Sequence, residues 1–174
     1  MRSSLIVDPT DGKLPYLESA LAQVDYYTTR YETEFDHPEQ RSLGDRCLAT
    51  FAGPPIYAIP LMFPYLIVQT KDQFLLYAEG PVGTRVVHLD SQREQTVPLS
   101  HEGYSTGRWE GDTLVVTTTH FRPDHVIRSG FGRPMLISPE TTIEERFTRV
   151  SATELNYYFT LTDDTLYSQA WSGE

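Results

Sequence analysis

From Tyr65 to Trp171 the chain is a succession of eight short runs rich in β-branched and aromatic residues: YLIVQT, FLLYAE, TRVVHLD, YSTGRWE, TLVVTTTHF, TIEERFTRV, ELNYYFTLT and TLYSQAW. Runs of this kind fit a pleated, half-buried surface and predict strands. The breaks KDQ, GPVG, GD, SAT and DD are short enough for hairpins, so most sequence neighbours should pair antiparallel. Residues 91–103 and 122–140 form the two longer connections. Eight antiparallel strands in meander order can close into a lipocalin-like barrel, which removes exposed edges and leaves room for side chains or one small ligand. A two-layer sandwich is the competing arrangement.

The chain before Tyr65 has a different character. Leu17, Leu21, Val24 and Tyr27 or Thr28 recur at three- and four-residue intervals, which predicts an amphipathic helix over residues 15–35 with Pro15 in its first turn. Residues 36–64 carry prolines at 38, 54, 55, 60 and 64, which exclude a long regular element. Leu43, Leu48, Phe51, Ile56, Ile59, Leu61 and Phe63 would anchor this segment as an ordered wrap. A length of 174 residues suits one domain: helix 15–35, wrap 36–64 and barrel 65–174.

Charge narrows the partners. Asp and Glu number 24 against 14 Lys and Arg, a net charge of −10 that repels nucleic acid and anionic membrane surfaces. Cys47 is the single cysteine, so no intrachain disulfide or thiolate metal cluster can form. Leu5 to Val7 is too short an apolar run for a signal peptide, and no membrane-length apolar stretch occurs. A cytoplasmic protein is the reading these features suggest.

The stretch GRWEGDTLVVTTTHF is the most explicit local signal. If Gly111 and Asp112 are the central pair of a type I′ or II′ turn, Glu110 faces Thr113, Trp109 faces Leu114, Gly107 faces Val116 and Ser105 faces Thr118. Strict alternation then puts Ser105, Trp109 and His120 on one inward face, with Arg108 on the other. In TIEERFTRV, Glu145 shares the inward face with Ile143 and Phe147; in ELNYYFTL, Tyr157 shares it with Leu155 and Phe159. A buried polar group without a partner costs about 1–3 kcal/mol or more, so His120, Glu145 and Tyr157 should bond to one another, to water or to a ligand. The competing reading of His120 is a satisfied histidine at the edge of the core.

Other constellations carry less chemistry. Asp124, His120 and His125 have metal-binding residue types without ligand spacing, so no metal is expected. The loop RSGFGRP lacks the Lys-Ser/Thr of a phosphate cradle and reads as a flap within the 122–140 connection. No G-x-S-x-G is present, and Cys47 has only Arg46 beside it in sequence to activate it.

The strings GRWEGDTLVV, TTTHF, ERFTRV and LNYYFTL, with GDRCL upstream and IVQT between, resemble a large family of mostly uncharacterised bacterial proteins, many of them exported. The likeness spans about Arg41 to Trp171 and implies a shared β-rich fold. Where that family's VVDTTNF pattern has Asp and Asn, this chain has Thr117 and His120, and Thr142 replaces a His before ERF. A site built on those three residues would be absent or remodelled here. A looser similarity is to cofactor-free lyases acting on lignin-derived aromatic dimers, with no residues carried over.

These readings converge on a cofactor-independent lyase or isomerase acting on a small, largely apolar and aromatic substrate. His120 would take a proton, Glu145 would orient the imidazole, and Tyr157 would donate to a developing oxyanion. Trp109 and Tyr65 would stack the substrate, Ser105 would share its pocket, and Arg108 or Arg46 would hold a carboxylate. The alternative is a carrier that binds a lipophilic ligand unchanged; a third is an interaction protein with its interior filled by its own rings. A homodimer is left open.

Overall fold

A computed structural model describes residues 5–34, 36–41, 43, 45–48, 53–56, 64–79, 83–89, 96–123, 126–128 and 134–174. In chain order the elements are β1 (Ile6–Asp8), α1 (Glu18–Thr33), β2 (Tyr65–Gln69), β3 (Gln73–Ala78), β4 (Thr84–Leu89), β5 (Tyr104–Glu110), β6 (Thr113–Thr119), β7 (Val126–Arg128), β8 (Pro134–Leu136), β9 (Thr142–Arg149), β10 (Leu155–Thr162) and β11 (Trp171–Gly173). Nine strands form one sheet in the order β1-β11-β10-β9-β6-β5-β4-β3-β2, and β7 pairs with β8 separately. The protein is mainly β, as the strand-rich runs predict.

The expected barrel does not close. Strands β1 and β2 end the sheet and do not pair with each other. The inner face is covered by other elements instead of by an opposite wall of strands. Ala20, Val24 and Tyr27 of α1 and Leu17 just before it, with Met135, Leu136 and Ile137, pack over Ile143, Leu161 and Trp171. Farther along, Phe74, Leu76, Ala78, Val87, Leu89, Leu114, Val116 and Phe147 make a second cluster, with Ile56 against it. The helix stripe thus does what curling of the sheet would otherwise do, namely bury the apolar face.

Pairing follows the short breaks. β2-β3, β3-β4, β5-β6 and β9-β10 are antiparallel neighbours, whereas β4 and β5, joined through the longer 90–103 connection, run parallel. The other long connection, between β6 and β9, holds β7 and β8. Its flap residues 129–133 and the pair Asp124 and His125 lie outside the described residues. So do wrap anchors Phe51, Ile59, Leu61 and Phe63. Within the wrap, Pro38–Gln40 makes one 3-10 turn, and the Ile56 amide donates to the Tyr157 hydroxyl at 2.8 Å, laying Gly53–Ile56 against the inner face.

The run TLYSQAW is a strand only at its end. Asp163 collects the Thr165 amide at 2.9 Å together with the hydroxyls of Ser138, Thr141 and Thr165, which bends the chain after β10. Tyr167 then turns inward, its hydroxyl donating to the Leu136 carbonyl and accepting the Leu136 amide. Aromatic contacts link both clusters: Phe74–Phe147, Phe147–Tyr157, Tyr157–Phe159, Phe159–Trp171, Trp171–Tyr167 and Tyr167–Tyr16, with ring centroids 5.1–6.0 Å apart. These seven rings therefore build core rather than pocket wall over most of that chain of contacts. Among the described residues, no helix is long and apolar enough to cross a membrane.

Candidate functional site

The predicted hairpin register holds residue for residue: Glu110↔Thr113, Trp109↔Leu114, Gly107↔Val116 and Ser105↔Thr118. Gly111 takes φ +61°, the left-handed first corner that a two-residue hairpin needs and that glycine adopts at least cost. Strand β9 sits beside β6 with Glu145 opposite Val116, so Glu145 faces inward and is fully buried.

Its partner is Arg85, which sequence reasoning missed. Arg85 Nη1 donates to Glu145 Oε1 at 3.0 Å, and Nη2 closes a second, shorter bond to Oε2. Arg85 Nε donates to Ser105 Oγ at 3.0 Å and Nη2 to Thr118 Oγ1 at 2.8 Å, while the two hydroxyls share a hydrogen bond of 2.8 Å. Tyr157 donates to Glu145 Oε1 at 2.7 Å. Five strands, β4, β5, β6, β9 and β10, are thereby joined through one buried fork-to-fork ion pair. The signal was present in TRVVHL, where Arg85 alternates with Val87 and Leu89 on the inward face. An inward carboxylate demanded an inward cation, and Arg85 is that cation.

The electrostatics suit a permanent pair. Burial by itself would depress the Arg85 guanidinium, but the charge and hydrogen bonds of Glu145 outweigh it and hold Arg85 above the usual arginine value. Burial pushes the Tyr157 phenol well above its ordinary range, and the Glu145 charge pushes the same way. Tyr157 therefore stays neutral and donates. Ser105, expected to contact a substrate, is committed to this network.

His120 does not join it. The residue lies just past β6 with φ +66°, a left-handed conformation unfavourable for a bulky side chain. This turn breaks the alternation: Ser100 donates its amide to the His120 carbonyl at 3.0 Å, and Phe121, fully buried, takes the inward place. The imidazole hydrogen-bonds Thr119 Oγ1 through Nδ1 at 2.8 Å and meets the edge of Tyr104, a ring of the outer face, at 6.4 Å. Glu145 and Tyr157 are thus brought together, and His120 is directed elsewhere. The expected imidazole–carboxylate pair is replaced by the guanidinium–carboxylate pair.

The remaining candidates separate by face. Arg108 is on the outer face, bonded to Glu110 at 2.8 and 3.0 Å; Arg146 binds the other Glu110 oxygen at 2.8 Å, and these two cations hold the Glu110 carboxyl below its ordinary range. Arg46 pairs at 4.0 Å with Glu39. Tyr65 is half-buried on the inner face, and burial raises its phenol. It stands at the end of β2 that pairs with Ala78. Trp109 lines an open space among the described residues.

That space is a trough of about 410 Å³ at one end of the inner face. Three hairpins meet there, because β3, β6 and β10 begin where β2, β5 and β9 end. Phe74, Leu114 and Phe147 line it with Ile67, Trp109 and Leu155, and Asp112, Arg149 and Glu154 come from the hairpin tips and strand ends. Trp109 is 44% exposed, and no described ring stacks on it. His120 lies at the opposite end of β6, about 20 Å away along a seven-residue strand. Sequence reasoning found Trp109 but not its companions, because which hairpin tips share an end depends on the parallel β4-β5 pair. No cluster of three or more metal-binding side chains occurs among the described residues. No protein-family model, curated protein or solved structure matches this chain.

Proposed function

We propose that this protein binds a small, largely apolar, ring-bearing molecule in the trough beneath Trp109. The observation that carries the reading is a solvent-exposed indole, with no ring stacked on it among the described residues, at the mouth of an apolar recess lined by Phe74, Leu114 and Phe147. Exposed aromatics beside such recesses are the usual anchors of small ligands, and ~300–1,000 Å³ is the usual size of a ligand pocket. The ligand-carrier alternative accounts for this geometry. Proton transfer by a lyase or isomerase would need an imidazole delivered to the bound molecule, and the geometry supports binding ahead of turnover.

Fluorescence and thermal-shift titrations with aryl and terpenoid compounds test this. Trp109 is exposed and Trp171 is 3% exposed, so a ligand-induced emission change reports on Trp109. A true ligand should raise the melting temperature, be recovered chemically unchanged, and bind about tenfold or more weakly to Trp109→Ala. Binding that survives Trp109→Ala undiminished, or consumption of the ligand abolished by His120→Ala, would overturn the carrier reading.

A further inference from the structure

Resting on the ligand-binding reading above, we infer that the trough selects an apolar organic cation, an amine or quaternary ammonium group carried on an aryl or aliphatic body. Aromatic walls do not by themselves choose between a neutral and a charged guest. The rim does. Asp112, at the tip of the β5-β6 hairpin, and Glu154, beside the start of β10, line the trough from two sides, and neither is held in an ion pair among the described residues. Among the described residues Arg149 is the one cation in the lining, and its Nε is bound to the Ser151 carbonyl at 3.1 Å. Two carboxylates against one tethered guanidinium leave the rim negative.

The long-range field agrees in sign. The whole chain carries −10, so an approaching anion is repelled and a cation is drawn in. The other arginines of the same hairpins do not relieve the rim, since Arg108 and Arg146 lie on the outer face and are matched by Glu110 and Glu144. Inside, the π faces of Trp109, Phe74 and Phe147 attract a cation through the ring quadrupole, most strongly for indole. A quaternary ammonium suits this combination, because its charge is spread over methyl groups that lose little hydration on entering an apolar recess. A compact, strongly hydrated ion does not.

The test uses two probes of one shape, benzyltrimethylammonium and its neutral isostere neopentylbenzene, with the anion 3,3-dimethyl-2-phenylbutanoate, which carries a carboxylate on the same skeleton, as the third. Each is titrated against the full chain by tryptophan fluorescence at low and moderate salt. Benzyltrimethylammonium should bind about tenfold more tightly than the neutral isostere, a ratio in keeping with a partly desolvated cation–π contact, and the anion should bind weakest. The cation's advantage should shrink with added salt, and the double variant Asp112→Asn/Glu154→Gln should reduce it to about twofold while leaving neopentylbenzene affinity unchanged. Equal affinity for cation and isostere, or an undiminished preference in the double variant, overturns this inference while apolar binding stands. If none of the three perturbs Trp109 emission, both this inference and the trough as a binding site fall.

Discussion

Replacing Arg85 by Met isolates the buried ion pair. The substitution keeps an unbranched apolar stem of similar reach and deletes four hydrogen bonds, to Ser105, to Thr118 and to both oxygens of Glu145. Ser105 and Thr118 keep each other, but the Glu145 carboxylate, at 0% exposure, is left with Tyr157 as its remaining hydrogen-bond donor. A buried charge stripped of its partner costs about 3–5 kcal/mol, a large part of a total stability of about 5–15 kcal/mol. The variant has one escape, which is to bury the carboxyl protonated. Protonating an ordinary glutamate at pH 7 costs about 3.7 kcal/mol and about 1.4 kcal/mol less for each pH unit lower, so the penalty is capped near that value and should fall to about 1 kcal/mol at pH 5. Removing both charges, Arg85→Met with Glu145→Leu, should restore the chain to within about 1–2 kcal/mol of the parent, because a well-packed apolar pair replaces a desolvated ionic one. Urea unfolding followed by far-ultraviolet circular dichroism, at pH 7 and pH 5, measures all four corners of the cycle. A loss below about 1 kcal/mol for Arg85→Met at pH 7, or the same loss at both pH values, would refute the premise that the carboxylate is sealed from water.

Three further outcomes follow from the same coordinates. Burial alone would raise the Asp163 carboxyl, but its bonds from Ser138, Thr141 and Thr165 prevail and lower it. Its contribution is therefore full above the unfolded carboxyl value and lost as pH falls through the lower folded one, so Asp163→Asn should cost about 1–3 kcal/mol at neutral pH and flatten the acid limb of a stability–pH curve; an unchanged acid limb would contradict it. At His120 the left-handed backbone disfavours any side chain, and Gly there should raise stability by up to about 1 kcal/mol, with Asn next best, in thermal melts; a loss of more than that would show that the imidazole's contacts outweigh the strain. The phenols of Tyr157 and Tyr167 are both raised by burial, so the stability they confer is full below the unfolded tyrosine value near pH 10 and fades as pH climbs toward their folded values. Absorbance at the phenolate band should show both ionising only with unfolding, whereas titration of the native chain at the ordinary value would count against their burial.

Local alternation made much of this legible beforehand. Either primed turn at Gly111-Asp112 fixes the same two-residue pairing, so the whole β5-β6 register followed from it, and with it the inward placement of Trp109 and Ser105. Period-two reading of β9 and β10 likewise turned Glu145 and Tyr157 inward. The helix was readable from Leu17, Val24 and Tyr27, since a stripe at three- and four-residue spacing has to be covered by something. His120 escaped the same logic because alternation assumes β-region backbone throughout. One left-handed residue lets Phe121 take the inward place, and Phe121 buries more apolar surface than an imidazole does.

Side-chain direction along a strand is a property of neighbouring residues, and the amino-acid order determined it for the inward groups of β5, β6, β9 and β10. Closure, partnership and shape depend on residues far apart in sequence. Helix α1 packs over apolar residues of β9, β10 and β11, so the strands there have no need to curl into a barrel. Arg85 finds Glu145 across sixty residues because a parallel step sets β4 beside β5. The same step gathers three hairpin tips at one end and leaves an indole facing an open recess, which only the assembled sheet produces.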